Sequence, residues 1–248
     1  MIAEYRMLSA VNRRLTRRSR RNAHYCRFLL AAIGLFECAA ALLIVCSDFA
    51  LFSTGIAANM AMFVFILVMD EVAILTSRMS EELFIAPDHL FAFPLADKTL
   101  YAALLLDLLF GEKGLVHLFS FALLSAHFIP SFRTFAASVI ALFLFYVLLE
   151  VWLLVLFLAA MQLFKRLKMH LSMVFALFVL VYNLLFQLDG YHRLERIPFW
   201  GWVGTSVELC LQGHFAQATL YLASFVPAIA TGMGLGVWLY RVNKTRCR

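Results

Sequence analysis

Charge is what this sequence has least of: 15% of its 248 residues are Asp, Glu, Lys or Arg and 64% are hydrophobic, against about 25% charged and roughly 45–50% apolar in a soluble domain. So few charges cannot cover the surface of a water-soluble globule with that many apolar side chains, which excludes that class and makes lipid the solvent. Cysteine is also sparse. Cys26, Cys38, Cys46, Cys210 and Cys247 are odd in number, lack CxxC spacing and sit mostly in or beside apolar stretches, so they read as small hydrophobes, not as a disulfide framework or zinc ligands. The seven histidines are scattered, with His117 and His127 off metal-ligand spacing, and no metal site is expected. No G-x-x-x-x-G-K-[ST] phosphate loop occurs, so the chain cannot power ATP-driven work by itself.

What the sequence has in abundance is long apolar runs: Phe28 to Cys46, Phe52 to Leu75, Thr99 to Phe128, Phe135 to Phe164, Leu171 to Leu188 and Ala218 to Tyr240. A bilayer span needs about 20 such residues. The first run is too long for a signal-peptide core and no A-x-A-like site follows it, so it reads as a retained span. The expected fold is all-α and polytopic, one domain over 1–248 with six spans. With both ends in the cytoplasm, every Lys and Arg falls on the inner side except Arg133, Arg193, Arg196 and the intramembrane Lys113, as the positive-inside tendency requires. The basic start, 1–27, sets topology and meets anionic lipid; with few aromatics for base stacking, it is not expected to bind nucleic acid. Trp200 and Trp202 suit an outer interfacial belt. The expected location is the inner or plasma membrane.

Breaks in the runs carry the chemistry. Gly111-Glu112-Lys113-Gly114 divides the third run; either one long helix tilts strongly, or its first half lies at the interface and its second half spans. Glu112 and Lys113 neutralise each other or neighbours on other helices. Asp70 and Glu71 lie near the cytoplasmic end of the second run and are expected to be hydrated. Ionisable groups inside a membrane cost at least ~2.5–3.5 kcal/mol near its centre and are functional candidates by default. Glu37, Asp107 and Glu150 are the candidate pathway residues. For Glu37 and Glu150, which lack a local partner, the alternative is a hydrogen bond between helices. In the last run Pro227 predicts a kink, and Gly232 with Gly236 gives the small-xxx-small spacing of close helix packing.

Between the second and third runs, Leu83, Phe84, Pro87, Leu90 and Phe91 recur with helical spacing while Glu81, Glu82, Asp88 and His89 lie between them, predicting a short amphipathic surface helix. Pro87 can open it, Pro94 should end it, and Asp97 can cap the next helix. This segment, from Arg78-Met-Ser-Glu81-Glu82 through FAFPLADKTLYAALLLDLL (Phe91 to Leu109), resembles the cytoplasmic stretch between spans two and three of exporter-type permeases of ATP-binding-cassette (ABC) transporters. Pro94, Leu95, Leu100 and Tyr101 take the places of that family's proline, aliphatic residue and aliphatic-aromatic pair. A second similarity lies in Ile197 to Ala223, where Pro198, Trp202 and Gly213 match the outer amphipathic segment before the last span; 189–217 is read as that segment. Ala103 and Leu104 depart from the basic residue that commonly opens span three.

The resemblance implies a permease that forms the translocation pathway with a second copy or a homologous permease and is driven by a separate ATPase subunit holding the ATP and Mg. In that family the segment equivalent to 80–100 docks on the ATPase. It therefore implies coupling roles for Glu81, Glu82, Pro87, Asp88, Leu90, Phe91, Phe93, Pro94, Leu95, Lys98 and Leu100, with no catalytic residue and no cofactor on this chain. Two rivals stand beside it. One is a membrane anchor or assembly subunit without transport activity. The other is an intramembrane enzyme, since Glu81-Glu82 is similar to the paired glutamates of CAAX-type membrane proteases; Ala86, however, stands where that motif has arginine.

Overall fold

The computed structural model describes residues 20–46, 56–76, 96–126, 131–167 and 197–246, and every regular element among them is a helix. In chain order these are α1 (Arg20–Cys46), α2 (Ile56–Thr76), α3 (Asp97–Phe110), α4 (Glu112–Ser125), α5 (Phe132–Leu167), α6 (Trp200–Leu211), α7 (Phe215–Ala223) and α8 (Phe225–Arg246). The 36-residue α5 contains no glycine or proline to break it. At about 1.5 Å per residue it is about 54 Å long, and it forms the spine of the molecule. Helix α8 lies along α5, with α3, α4 and α6 also against it, while α1 packs on α4 and α6 on α2.

Two helical stretches are long and apolar enough to cross a bilayer, Phe132–Ala159 and Phe215–Lys244; Leu30–Val45 and Lys113–Ser125 are shorter apolar helices. The expected run Leu171 to Leu188 lies outside the described residues. The larger core joins Met60, Phe63 and Leu67 of α2, Phe121 of α4, Tyr146 and Val151 of α5, and Val203 and Val207 of α6. A second core joins Leu100 and Leu104 of α3 to Leu154 and Leu158 of α5 and to Leu239 and Tyr240 of α8.

The third run is neither one tilted helix nor one continuous rod. It breaks at Gly111, whose φ of −69° and ψ of −176° end α3 and start α4. A side chain on Gly114 would occupy the position of the Leu109 carbonyl oxygen, so glycine there lets the chain fold tightly around the break. The nearby Leu108 carbonyl is not left unpaired: Tyr146 Oη donates to it at 3.0 Å. Buried irregular backbone requires that other protein groups take over the freed hydrogen bonds.

One local expectation is corrected, and two others gain detail. The cap of α3 is Ala96, without a side-chain hydrogen bond, while Asp97 sits in the first turn. There it accepts from Lys244 Nζ at 2.9 Å and Arg241 Nε at 3.3 Å, tying the start of α3 to the end of α8. The last run is irregular next to Pro227, as expected. It is interrupted at Ser224, between α7 and α8, and Pro227 falls in the first turn of α8, where its missing N–H costs little. Trp200 makes contacts within the protein: its indole N–H donates to the Ala61 carbonyl at 2.9 Å and its ring meets Phe65 and Phe145. That bond holds α6 on α2, where a Cβ on Gly204 would collide with the backbone of Ala57.

Candidate functional site

Four helices converge on one buried polar network. From α4 come Lys113, His117 and Ser120, spaced i, i+4 and i+7, so that they form one stripe on the helix. Facing them are Glu37 of α1, Glu71 of α2 and Glu150 of α5, and none of these six residues is more than 4% exposed.

The contacts run as a chain. Both carboxylate oxygens of Glu37 lie close to His117 Nδ1, Oε1 at 2.8 Å and Oε2 at 2.9 Å. The opposite ring nitrogen, Nε2, is 2.7 Å from Glu71 Oε1, an ion-pair contact whose angle is not that of a hydrogen bond. The second Glu71 oxygen accepts from Lys113 Nζ at 2.6 Å, and the same ammonium donates to Glu150 Oε1. Ser120 Oγ lies 3.2 Å from Glu37 Oε2 and 2.8 Å from the His117 carbonyl oxygen. The Tyr146 ring packs on the His117 ring, 5.2 Å between centroids, and lies 6.0 Å from Lys113 Nζ. Half-buried Asp70 lies against Glu37.

The physical logic is that of a desolvated ion network. Removing a charge from water costs several kcal/mol, and only close opposite charges with well-formed hydrogen bonds offset it. Each carboxylate here has a cationic or hydrogen-bonding neighbour on another helix, so the network binds α1, α2, α4 and α5 to one another. Lys113 is the second residue of α4, directly after the break, and its ion pairs fix where the new helix starts.

Of the residues expected in a pathway, Glu37 and Glu150 are both in this network, at opposite ends. Asp107 is half-buried on α3, where its carbonyl accepts the Gly111 N–H at 2.9 Å. Of the two neutralisation schemes for Lys113, partners on other helices are what the structure shows, in Glu71 and Glu150. The expected hydration of Glu71 is corrected: it is 1% exposed, held inward by Lys113 and His117. His117 and Ser120 were not expected in a site, although the Lys113, His117, Ser120 stripe is a readable signal within an apolar run.

Glu81, Glu82, Pro87, Asp88, Leu90, Phe91, Phe93, Pro94 and Leu95 lie outside the described residues. Lys98 is exposed in the first turn of α3, whereas Leu100 is fully buried, facing α5 and α8 instead of a docking surface. Added Cβ atoms would bring Gly232 against Val151 and Trp152 of α5, and Gly236 against the Tyr101 ring of α3. Among the described residues no group of three or more His, Cys, Asp or Glu is placed to hold a metal ion. Comparison with family models, curated proteins and solved structures finds no match.

Proposed function

We propose that the chain is the permease half of an exporter-type ABC transporter, crossing the membrane six times with both ends in the cytoplasm. It pairs with a second permease and is driven by a separate ATPase that grips the segment 80–100. The observation that carries a transport role is the buried network of Glu37, His117, Glu71, Lys113 and Glu150 beside a broken helix. Ionisable groups that cost this much to bury are functional candidates by default, and a protein that must hold two states can use ion pairs and a break that rearranges.

The clamp of Asp97 with Lys244 and Arg241 supports the topology. It joins the start of α3, directly after the segment that resembles a coupling helix, to the basic end of α8, and an even number of spans with both ends inside brings those two points to one side. The assignment to ABC permeases rests on the sequence resemblance, with ATP closing the motor and moving the docked helix. Leu90→Asp and Phe91→Asp test it. Each should leave membrane insertion intact while abolishing transport and the binding of the ATPase; a variant that assembles and transports as the wild type does would refute docking through this segment.

A further inference from the structure

We infer that the Glu37, His117, Glu71 chain is a proton-exchange site, and that a proton reaching Glu71 releases Lys113 and with it the first turn of α4. The inference concerns the interior of the chain and does not depend on which motor drives it.

Charge counting gives the first argument. Glu37, Glu71 and Glu150 are fully buried, while among the described residues the basic groups in the network are Lys113 and His117. Even with both basic groups charged, one carboxylate remains unmatched, and half-buried Asp70 adds another beside Glu37. An unmatched charge in an apolar interior is far costlier than a bound proton, so the network holds at least one exchangeable proton on its carboxyl groups.

Geometry gives the second argument. His117 has a carboxylate at each ring nitrogen, and the two come from different helices, α1 and α2. An ion pair needs one such contact, whereas a relay needs both. A proton taken up on Glu37 gives the charge-matched state, with Glu37 neutral, His117 an imidazolium, and Glu71 and Glu150 ionised. The Nε2–H bond of His117 then breaks as an O–H bond forms on Glu71, leaving His117 neutral with its hydrogen on Nδ1 and the charges of Lys113 and Glu150 matched. Neutral Glu71 no longer pairs electrostatically with Lys113, whose ion pair at the start of α4 is then with Glu150. Asp70, half-buried and next to Glu37, is the entry side. The groups facing the relay are Glu37 and Cys38 on α1, Asp70 and Glu71 on α2, Lys113 on α4, and Tyr146 and Glu150 on α5.

The test is hydrogen exchange of the full chain in lipid nanodiscs, followed by mass spectrometry on the peptide covering Gly111 to Leu118 and corrected for the intrinsic dependence of exchange on pH. Between about pH 8.5 and about pH 5.5, protection of that peptide should fall by about tenfold in the wild type, while a peptide from α6 stays constant. His117→Gln, which keeps a donor and an acceptor but cannot pass a proton, should abolish the step. Glu71→Gln, which mimics the protonated carboxyl, should show the low protection already at the alkaline end. Flat protection in the wild type overturns the inference, as does a step retained in a folded His117→Gln protein or wild-type protection in Glu71→Gln. If His117→Gln does not fold, the wild-type profile and Glu71→Gln decide the matter by themselves.

Discussion

Lys113 shows how much one side chain can carry. It bridges Glu71 and Glu150 at the point where the chain restarts as α4. Removing one partner of a buried ion pair costs about 3–5 kcal/mol, because it leaves the other charge without compensation. Lys113→Met should therefore destabilise the protein by that amount in thermal unfolding in detergent. Pairing it with Glu150→Gln should recover part of the loss, as a double-mutant cycle would reveal; strict additivity of the two losses would mean that the contact is not energetically coupled. Gly114→Ala should be destabilising for a different reason, since the new methyl meets the Leu109 carbonyl oxygen. Tyr146→Phe should cost about 1–3 kcal/mol by leaving the Leu108 carbonyl without its donor. An unchanged unfolding temperature for either variant would contradict the described break.

At this scale the sequence was partly legible. Glu37 and Glu150 stood out because a carboxylate inside an apolar run has few innocent explanations. Glu71 did not, because its place near the end of a run is what a hydrated residue also shows; only the three-dimensional approach of α4 reveals that it is enclosed. His117 was missed for a related reason: its partners are 80 and 46 positions away, and no local spacing announces them.

Among the elements, the proposed bilayer setting makes helix contacts depend on fit more than on water exclusion, since lipid offers apolar side chains nearly the same environment as a neighbouring helix. Gly204 against Ala57, and Gly232 against Val151 and Trp152, are the close approaches that make such packing possible. Gly204→Val should separate α6 from α2 and weaken the Trp200 bond to the Ala61 carbonyl, which a cysteine cross-link between the two helices would detect. The small-xxx-small pair in the last run was readable from spacing, whereas Gly204 was not, because its partner is the backbone of another helix and leaves no pattern in its own segment.

The clamp at Asp97 sets a pH dependence. Hydrogen bonding to Lys244, with a further contribution from Arg241, holds the Asp97 carboxyl below the usual carboxylate range. A carboxyl lowered in the folded state stabilises it fully above the ordinary carboxylate value, and that contribution is lost as acidification passes through the lowered folded value. Asp97→Asn should therefore lower stability slightly at neutral pH, by about 1 kcal/mol for a part-buried pair at the surface, and the difference from wild type should vanish in acid. Unfolding curves at both pH values check this; a difference that grows in acid would contradict the sign.

For the whole molecule, the apolar runs made the all-helical class legible from composition and length alone. The break inside the third run and the interruption at Ser224 were less so. A glycine pair and a proline mark possible irregularities without stating whether the chain bends, stops or restarts. The same account places the segment after α2 in the cytoplasm, so a cysteine introduced at Ser80 should resist reagents that cannot cross the cell envelope until the membrane is opened. Labelling in intact cells would reverse the orientation.

The central claim, a permease moved by an external motor, is tested most directly by purifying the chain from its own membranes in mild detergent and measuring what comes with it. A stoichiometric subunit carrying a phosphate-binding loop, with ATP hydrolysis in the purified complex, is the predicted result. A chain recovered intact and in native oligomeric form with no such subunit and no hydrolysis would contradict the account.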